Sequence, residues 1–256
     1  DDIQAQKLAA NGSPIGGPFY VSAGEDHDRW KPDVAYNNVI DQFLVVYEDL
    51  DYSGLVEDYS IRAQLVSGTG LVIDPKVDIT IRAKSSLDTP SDPAVAYASV
   101  TNRYLVVWHE VTHVGTPTHF IYGQFISYQG GYVGGVKEIA KSTQVMSPPD
   151  VAYSARDDRF MVAWQQYNLT TKKYDVKGQR VSGNGDLWGN IGTYMDSGSA
   201  CEGPVVAAMP NDASDKTYII AWIHQEGGMN GYGIVYVNQA GDQRGWSQAL
   251  SSTGTR

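Results

Sequence analysis

The chain of 256 residues carries 19 Lys+Arg against 29 Asp+Glu, a formal charge of −10, with 42% hydrophobic, 11% aromatic and only 19% charged residues. That balance excludes a disordered or coiled-coil chain, which needs more charge and fewer aromatics, and with no Lys/Arg-rich run to neutralise phosphates, nucleic acid is not an expected partner. No apolar run approaches the roughly 18 residues of a membrane span, so no membrane span is expected, and the single Cys201 rules out an internal disulfide framework.

In chain order, the first element is IQAQKLAANG (Ile3 to Gly12), an extended stretch closing on Asn-Gly, a hairpin-turn signal. Next comes PDVAYNNVIDQFLVVYED (Pro32 to Asp49), two short runs of β-branched and aromatic residues around a polar turn, which reads as two strands. IRAQLVSGTG (Ile61 to Gly70) then repeats the first element, and KVDITIRAK (Lys76 to Lys84) is a fourth strand. The series recurs as DPAVAYASVTNRYLVVWHE (Asp92 to Glu110), IYGQFISYQG (Ile121 to Gly130) and VKEIAKS (Val136 to Ser142). It recurs again as PDVAYSARDDRFMVAWQQ (Pro149 to Gln166) with VKGQRVSGNG (Val176 to Gly185), and more weakly as Gly203 to Gln225 with YGIVYVNQAG (Tyr232 to Gly241). The closing aromatics Tyr47, Trp108, Trp164 and Trp222 are spaced by 61, 56 and 58 residues.

Four antiparallel strands repeated at this period are the pattern of an all-β propeller, whose small sheets bury both faces against their neighbours. The unbroken apolar runs FLVVY, YLVVW, FMVAW and YIIAW fit strands covered on both sides, and a β-sandwich has no reason to repeat one pattern. The expected organisation is one domain, 1–256, with a half blade at 1–30 and blades at 31–89, 90–147, 148–202 and 203–256. Four complete sets plus two strands suit a five-bladed ring with one incomplete blade, a fragment of a larger propeller, or a subunit that completes its half blade with a neighbouring chain.

Asp33, Asp92 and Asp150 recur near the start of the first strands, with Glu202 nearby in the fourth repeat. They read either as an axial acidic ring or as carboxylates accepting hydrogen bonds from nearby backbone N–H groups, and repetition favours the structural role. Gln6, Gln64, Gln124 and Gln179 share one position and are expected to bridge neighbouring blades or turns. Tyr36, Tyr97, Tyr153, Trp108, Trp164 and Trp222 are expected in the core. No acid and base pair stands out, because acids equivalent by repeat should share one environment, whereas catalysis needs two.

The loop DLDYSGLVED offers Asp49, Asp51, Ser53, the Leu55 carbonyl and Glu57 as alternating oxygen ligands around Gly54, a set suited to Ca²⁺. Asp49 to Glu57 resembles the calcium hairpins of integrin-type propellers, although Ser53 replaces the commoner carboxylate. Ser60, standing where an EF-hand needs Glu, excludes that motif. His109, Glu110 and His113 match H-E-x-x-H, with His119 where a third zinc ligand would fall. That motif requires a helix, and in a strand the first two histidines would stand about 13 Å apart at roughly 3.3 Å per residue. Peptidase chemistry is therefore not expected, although a folded-back loop could gather the three histidines around a metal. The sequons Asn11 to Ser13 and Asn168 to Thr170 decide nothing.

The repeat core, D-P-x-V-A-Y followed by R-Y-L-V-V-W and then I-x-G-Q-x-x-S-x-x-G, resembles tandem repeats of extracellular bacterial and archaeal propeller proteins over nearly the whole chain. The resemblance implies an extracellular or cell-surface location and a binding or adhesion module with a glycan or protein partner. The leading expectation is thus a non-enzymatic module with one structural calcium. The alternatives are a carbohydrate-active enzyme using the axial carboxylates, and a structural subunit of a surface assembly.

Overall fold

Short β-branched and aromatic runs punctuated by Asn, Asp and Gly form strands throughout the described residues. The computed structural model describes residues 1–54, 58–73, 79–83, 88–195, 200–209, 215–226 and 229–251. The half blade pairs β1 (Ile3–Leu8) with β2 (Pro14–Ser22). Blade 1 holds β3 (His27–Asn37), β4 (Gln42–Asp51), β5 (Asp58–Ser67) and β6 (Ile79–Ala83). Blade 2 holds β7 (Asp88–Ala98), β8 (Arg103–Thr112), β9 (Thr118–Ser127) and β10 (Tyr132–Ser142). Blade 3 holds β11 (Asp150–Ser154), β12 (Arg159–Asn168), β13 (Lys173–Ser182) and β14 (Leu187–Met195). Blade 4 holds β15 (Ala200–Ala208), β16 (Lys216–Glu226), β17 (Met229–Asn238) and β18 (Gln243–Ser251). Every blade is an antiparallel meander, and β3, β7, β11 and β15 pack in series as the innermost strands. The protein is an all-β propeller, with four four-stranded blades and one two-stranded sheet among the described residues.

The inner strands start earlier than the repeat predicts. β3 begins at His27, β7 at Asp88 and β15 at Ala200, ahead of the expected boundaries at 31, 90 and 203. The cause is a bulge at Trp30/Asp33, Ser91/Ala94 and Glu202/Val205, where the ladder skips past Pro32, Pro93 and Pro204. Proline has no N–H to give a ladder and reads as a strand end, but a bulge absorbs it. Lys31, Asp92 and Gly203, each preceding a proline, take positive φ of 51°, 52° and 47° there.

Side-chain alternation gives each blade two packing faces. Leu44, Val46, Ile61 and Ala63 of blade 1 meet Tyr104, Val106 and Trp108 of blade 2, and the same positions recur between blades 2 and 3 and between blades 3 and 4. Trp108, Trp164 and Trp222 are buried as expected, and truncating any one would cost about 3–5 kcal/mol. Tyr36, Tyr97 and Tyr153 correct the expectation. Tyr36 is exposed and the other two are half-buried, and together they line a cavity of about 390 Å³ at the end of the inner-strand turns. Each hydroxyl donates to the residue five positions on, Asp41, Asn102 or Asp158, at 3.0, 2.8 and 2.8 Å. Those three acceptors occupy positive φ, which Asn and Asp tolerate better than other side-chain-bearing residues.

The repeated glutamines act within a blade rather than between blades. Gln179 Nε2 donates to the carbonyls of Arg180, Trp188 and Gly189 at 3.0, 3.2 and 3.4 Å, bridging the third strand to a bulge in the fourth. Gln6, Gln64 and Gln124 make the corresponding bonds. Gln179→Ala is expected to leave these carbonyls short of a donor and to lower stability by about 1–3 kcal/mol. A chemical-denaturation midpoint equal to wild type would show that the bridge contributes nothing.

Candidate functional site at the axis

The structure divides the three axial aspartates into two environments. Asp33 Oδ1 accepts from the Val34 N–H, and Oδ2 accepts at 2.8 Å from the Val95 N–H of the next blade. Asp150 does the same with Val151 and with Val206 of blade 4, the latter at 2.7 Å. Both therefore stitch the inner strand of one blade to that of the next. Burial raises the proton affinity of both carboxyls, their backbone hydrogen bonds oppose that rise, and the Asp33 charge raises Asp150 further.

Asp92 is not their equivalent. The register pairs Asp33 with Val46, Ala94 with Val107 and Asp150 with Ala163, so Ala94 holds the aspartate position in blade 2 and Asp92 sits on the bulge. There it pairs with Lys31 Nζ at 2.6 Å, and the same ammonium lies 3.2 Å from Glu48 Oε1. Glu48 in turn accepts from the Asp92 N–H. Burial opposes the Lys31 charge, but Asp92 and Glu48 outweigh it and raise its pKa above the ordinary lysine value. Lys31 is two residues from Asp33, so the ion pair and the stitching Asp33 carboxylate lie close together along β3, on either side of the bulge at Pro32. The side chain of Glu202 lies outside the described residues.

His109, equivalent by repeat to Glu48, borders this cluster and feels the charges of Asp92 and Lys31. Its Nε2 lies 2.9 Å from His119 Nδ1, with the rings stacked at 5.2 Å. Burial and His119 press its pKa down to about 4, so it is neutral at neutral pH. Glu110 turns to Arg82, with Oε2 and Oε1 at 2.8 and 2.7 Å from Nε and Nη2, and accepts from Trp108 Nε1 at 3.1 Å. The H-E-x-x-H segment is thus a strand whose glutamate is already held, and His109 and His119 meet across β8 and β9 while His113 lies beyond the β8 end. Among the described residues no group of three or more metal-ligating side chains is found.

The predicted calcium loop is only partly within view, because Leu55 and Glu57 lie outside the described residues. Asp49 is fully buried, 2.9 Å from Arg29 Nε, 2.8 Å from Arg62 Nε and 3.1 Å from His27 Nδ1. Asp51 accepts from the hydroxyl and N–H of Ser53, which hold its carboxyl below the usual range.

No protein-family model matches the sequence, and no curated protein matches it significantly. Solved structures match the fold. "Hadza microbial sialidase Hz136" superposes with a TM-score of 0.57 at 14% identity over 93% of this chain, which spans 52% of that one. A GH43 β1,3-galactosidase gives 0.54 at 10% identity, covering 96% of this chain and 79% of the other. An N-acetylgalactosamine deacetylase from F. plautii gives 0.52 at 11% identity, covering 90% and 73%. The shared feature at these identities is the fold. These neighbours are carbohydrate-active enzymes, a finding that overturns the expectation of a non-enzymatic binding or adhesion module. Among the described residues no helix is long and apolar enough to cross a membrane.

Two outcomes are expected. With Asp49 engaged by two guanidinium groups, calcium titration should give no saturable heat; saturable heat lost in Asp49→Asn would restore the loop as a calcium site. An unfolded chain protonates histidine near 6.5 whereas the folded protein keeps His109 neutral to about 4, so the unfolded state binds more protons between those values. The His109 contribution is then complete above about 6.5 and lost as pH falls toward 4, and His109→Gln should flatten that slope in denaturation measured against pH.

Proposed function

We propose that this protein is a carbohydrate-active hydrolase working on a glycan at the inner strands that carry Asp33, Asp92 and Asp150. The observation that carries this reading is the split among the three acids. Glycoside hydrolysis takes one carboxyl that retains a proton to give to the leaving oxygen and a second carboxylate that acts as base or nucleophile. Asp150, with its proton affinity raised by burial and by Asp33, is suited to the donor role. Asp92, paired with the Lys31 ammonium, is suited to the second. Lys31 orients Asp92, and Asp33 lifts Asp150 while stitching blades 1 and 2. The carbohydrate-active enzymes that share the fold support the substrate class, and an extracellular setting follows from the repeat resemblance and suits a glycan substrate.

Separate Asp33→Asn, Asp92→Asn and Asp150→Asn variants provide the test, assayed against a panel of chromogenic glycosides and natural oligosaccharides with melting temperature measured in parallel. Asp150→Asn and Asp92→Asn are each expected to lower kcat by at least about 10²-fold, with Asp92→Asn close to wild type in melting temperature because its ion pair is half-exposed. Activity should fall as pH rises and Asp150 loses its proton. Equal loss of stability in all three variants, with turnover unchanged in the folded fraction, would reduce the carboxylates to blade stitching.

A further inference from the structure

Blade 1 departs from the repeat by placing a large aromatic where the other blades carry small or polar residues. Trp30 stands opposite Glu48 in the β3–β4 ladder. The same place is held by Ser91 opposite His109 in blade 2 and by Glu202 opposite Ile223 in blade 4. In blade 3 it is held by Ser147, whose N–H donates to the Gln165 carbonyl. A residue that built the blade would recur with it, as the buried Trp108, Trp164 and Trp222 do. Trp30 is instead half-exposed, and its ring meets that of Tyr59 on β5, also half-exposed, edge to face at 6.4 Å and 79°.

The register fixes which way the two rings face. Directly opposed residues of an antiparallel pair share a face of the sheet with Cβ atoms roughly 5 Å apart, so Trp30 lies beside Glu48. Leu44 and Val46 of β4, with Ile61 and Ala63 of β5, pack on blade 2. By the period of two, Glu48 and Tyr59 face blade 2 as well. Glu48 accepts from the Asp92 N–H of that blade and lies 3.2 Å from Lys31 Nζ. The aromatic pair therefore borders the cluster of Lys31, Asp92 and Glu48. Bared aromatic surface beside a few fixed polar groups is the composition of a ligand site. The electron-rich face of a ring attracts the weakly positive C–H groups on one side of a sugar, leaving the sugar hydroxyls to reach the polar groups.

Charge limits which sugar fits. The one ammonium of the cluster is set against two carboxylates. All four cations among the described residues of blade 1 are engaged: Lys31 by Asp92 and Glu48, Arg29 and Arg62 by Asp49, and Arg82 by Glu110. A sugar carboxylate placed here would meet like charge and would have to take a cation from a partner that already holds it. We infer that Trp30 and Tyr59 form a platform on which an uncharged sugar of the glycan lies against the Asp92 cluster, and that the site discriminates against sialyl and uronyl residues. This rests on the reading of these inner strands as a glycan site and adds the substrate class, with Trp30 as the residue that determines it.

Thio-linked oligosaccharides resist cleavage, so they read binding apart from turnover. The probes are thio-oligosaccharides ending in galactose, arabinose or glucose, each matched with a counterpart ending in sialic acid or a uronic acid, titrated calorimetrically into the wild-type protein. At least one neutral probe should bind saturably, and at least about tenfold more tightly than its acidic counterpart. Trp30→Ala should weaken that binding at least about tenfold, and Trp30→Phe, which keeps a ring, should recover most of it. Glu48→Gln, which removes one carboxylate, should narrow the preference for neutral over acidic probes. Bound probe should also protect Trp30 from oxidation by N-bromosuccinimide, read by peptide mass spectrometry, a result that needs no substitution. The inference is overturned if no neutral probe binds, if an acidic probe binds as tightly as its neutral counterpart, or if Trp30 oxidises equally at saturating probe. Folded Trp30→Ala that binds like wild type overturns it too. The two readings fail separately. Trp30-dependent binding of neutral probes by a protein that hydrolyses no glycoside would overturn the hydrolase and support the platform. Turnover of sialosides or uronides that depends on Asp92 and Asp150 would support the hydrolase and overturn the platform's selectivity.

Discussion

A four-stranded sheet with apolar side chains on both faces cannot stand alone in water, and the organisation of this protein follows from that constraint. Strands such as FLVVY and FMVAW place alternate residues on opposite faces, so each blade must be sandwiched. The aromatic midway along each second strand is the largest piece of that burial, with Tyr47, Trp108 and Trp164 wholly inaccessible to solvent. The turns, bulges and glutamine bridges serve it by keeping neighbouring sheets in register. Where the sandwiching stops, Val34 and Val205 are left 55% and 57% exposed.

The same packing creates the axial site. Bringing the inner strands together around an axis crowds whatever polar groups they carry, and burial raises the proton affinity of Asp33 and Asp150. Their bonds to Val95 and Val206 show that they also hold blades together, so a chemical role would be layered on a structural one. The bulge at Asp92 removes that acid from the stitching row and sets it against Lys31. A one-residue irregularity thus turns three similar acids into groups of two kinds, the asymmetry that acid and base chemistry requires.

Much of the fold was legible because the hydrophobic pattern repeats. Strand order, the four repeats and the half blade all follow from VAY and LVVW recurring at a steady spacing. Pro32 and Pro93 hid the outer ends of β3 and β7, since proline ordinarily ends a strand and the bulge that accommodates it leaves only a positive φ as its trace. The same bulge misled the alignment of Asp92, which two skipped residues place beside Asp33 in sequence pattern but not in the ladder. Asp49, read from the sequence as the first ligand of a calcium loop, is also engaged by Arg29 and Arg62, a convergence that nothing nearby in the chain announces. The tyrosines were assigned to the core by type, whereas the axial opening leaves their rings at its mouth.

By itself the sequence determined the local conformations and the face each apolar residue takes, because side-chain alternation and turn chemistry act over a few bonds. It also determined that residues 3–22 are of the third and fourth strand types of the repeat. Only the tertiary structure decided which acids become neighbours, which carboxyls are pushed toward protonation, and which apolar face is left uncovered. Those properties depend on distances between residues about sixty or more positions apart, and on how much water remains between them once the blades have closed around the axis.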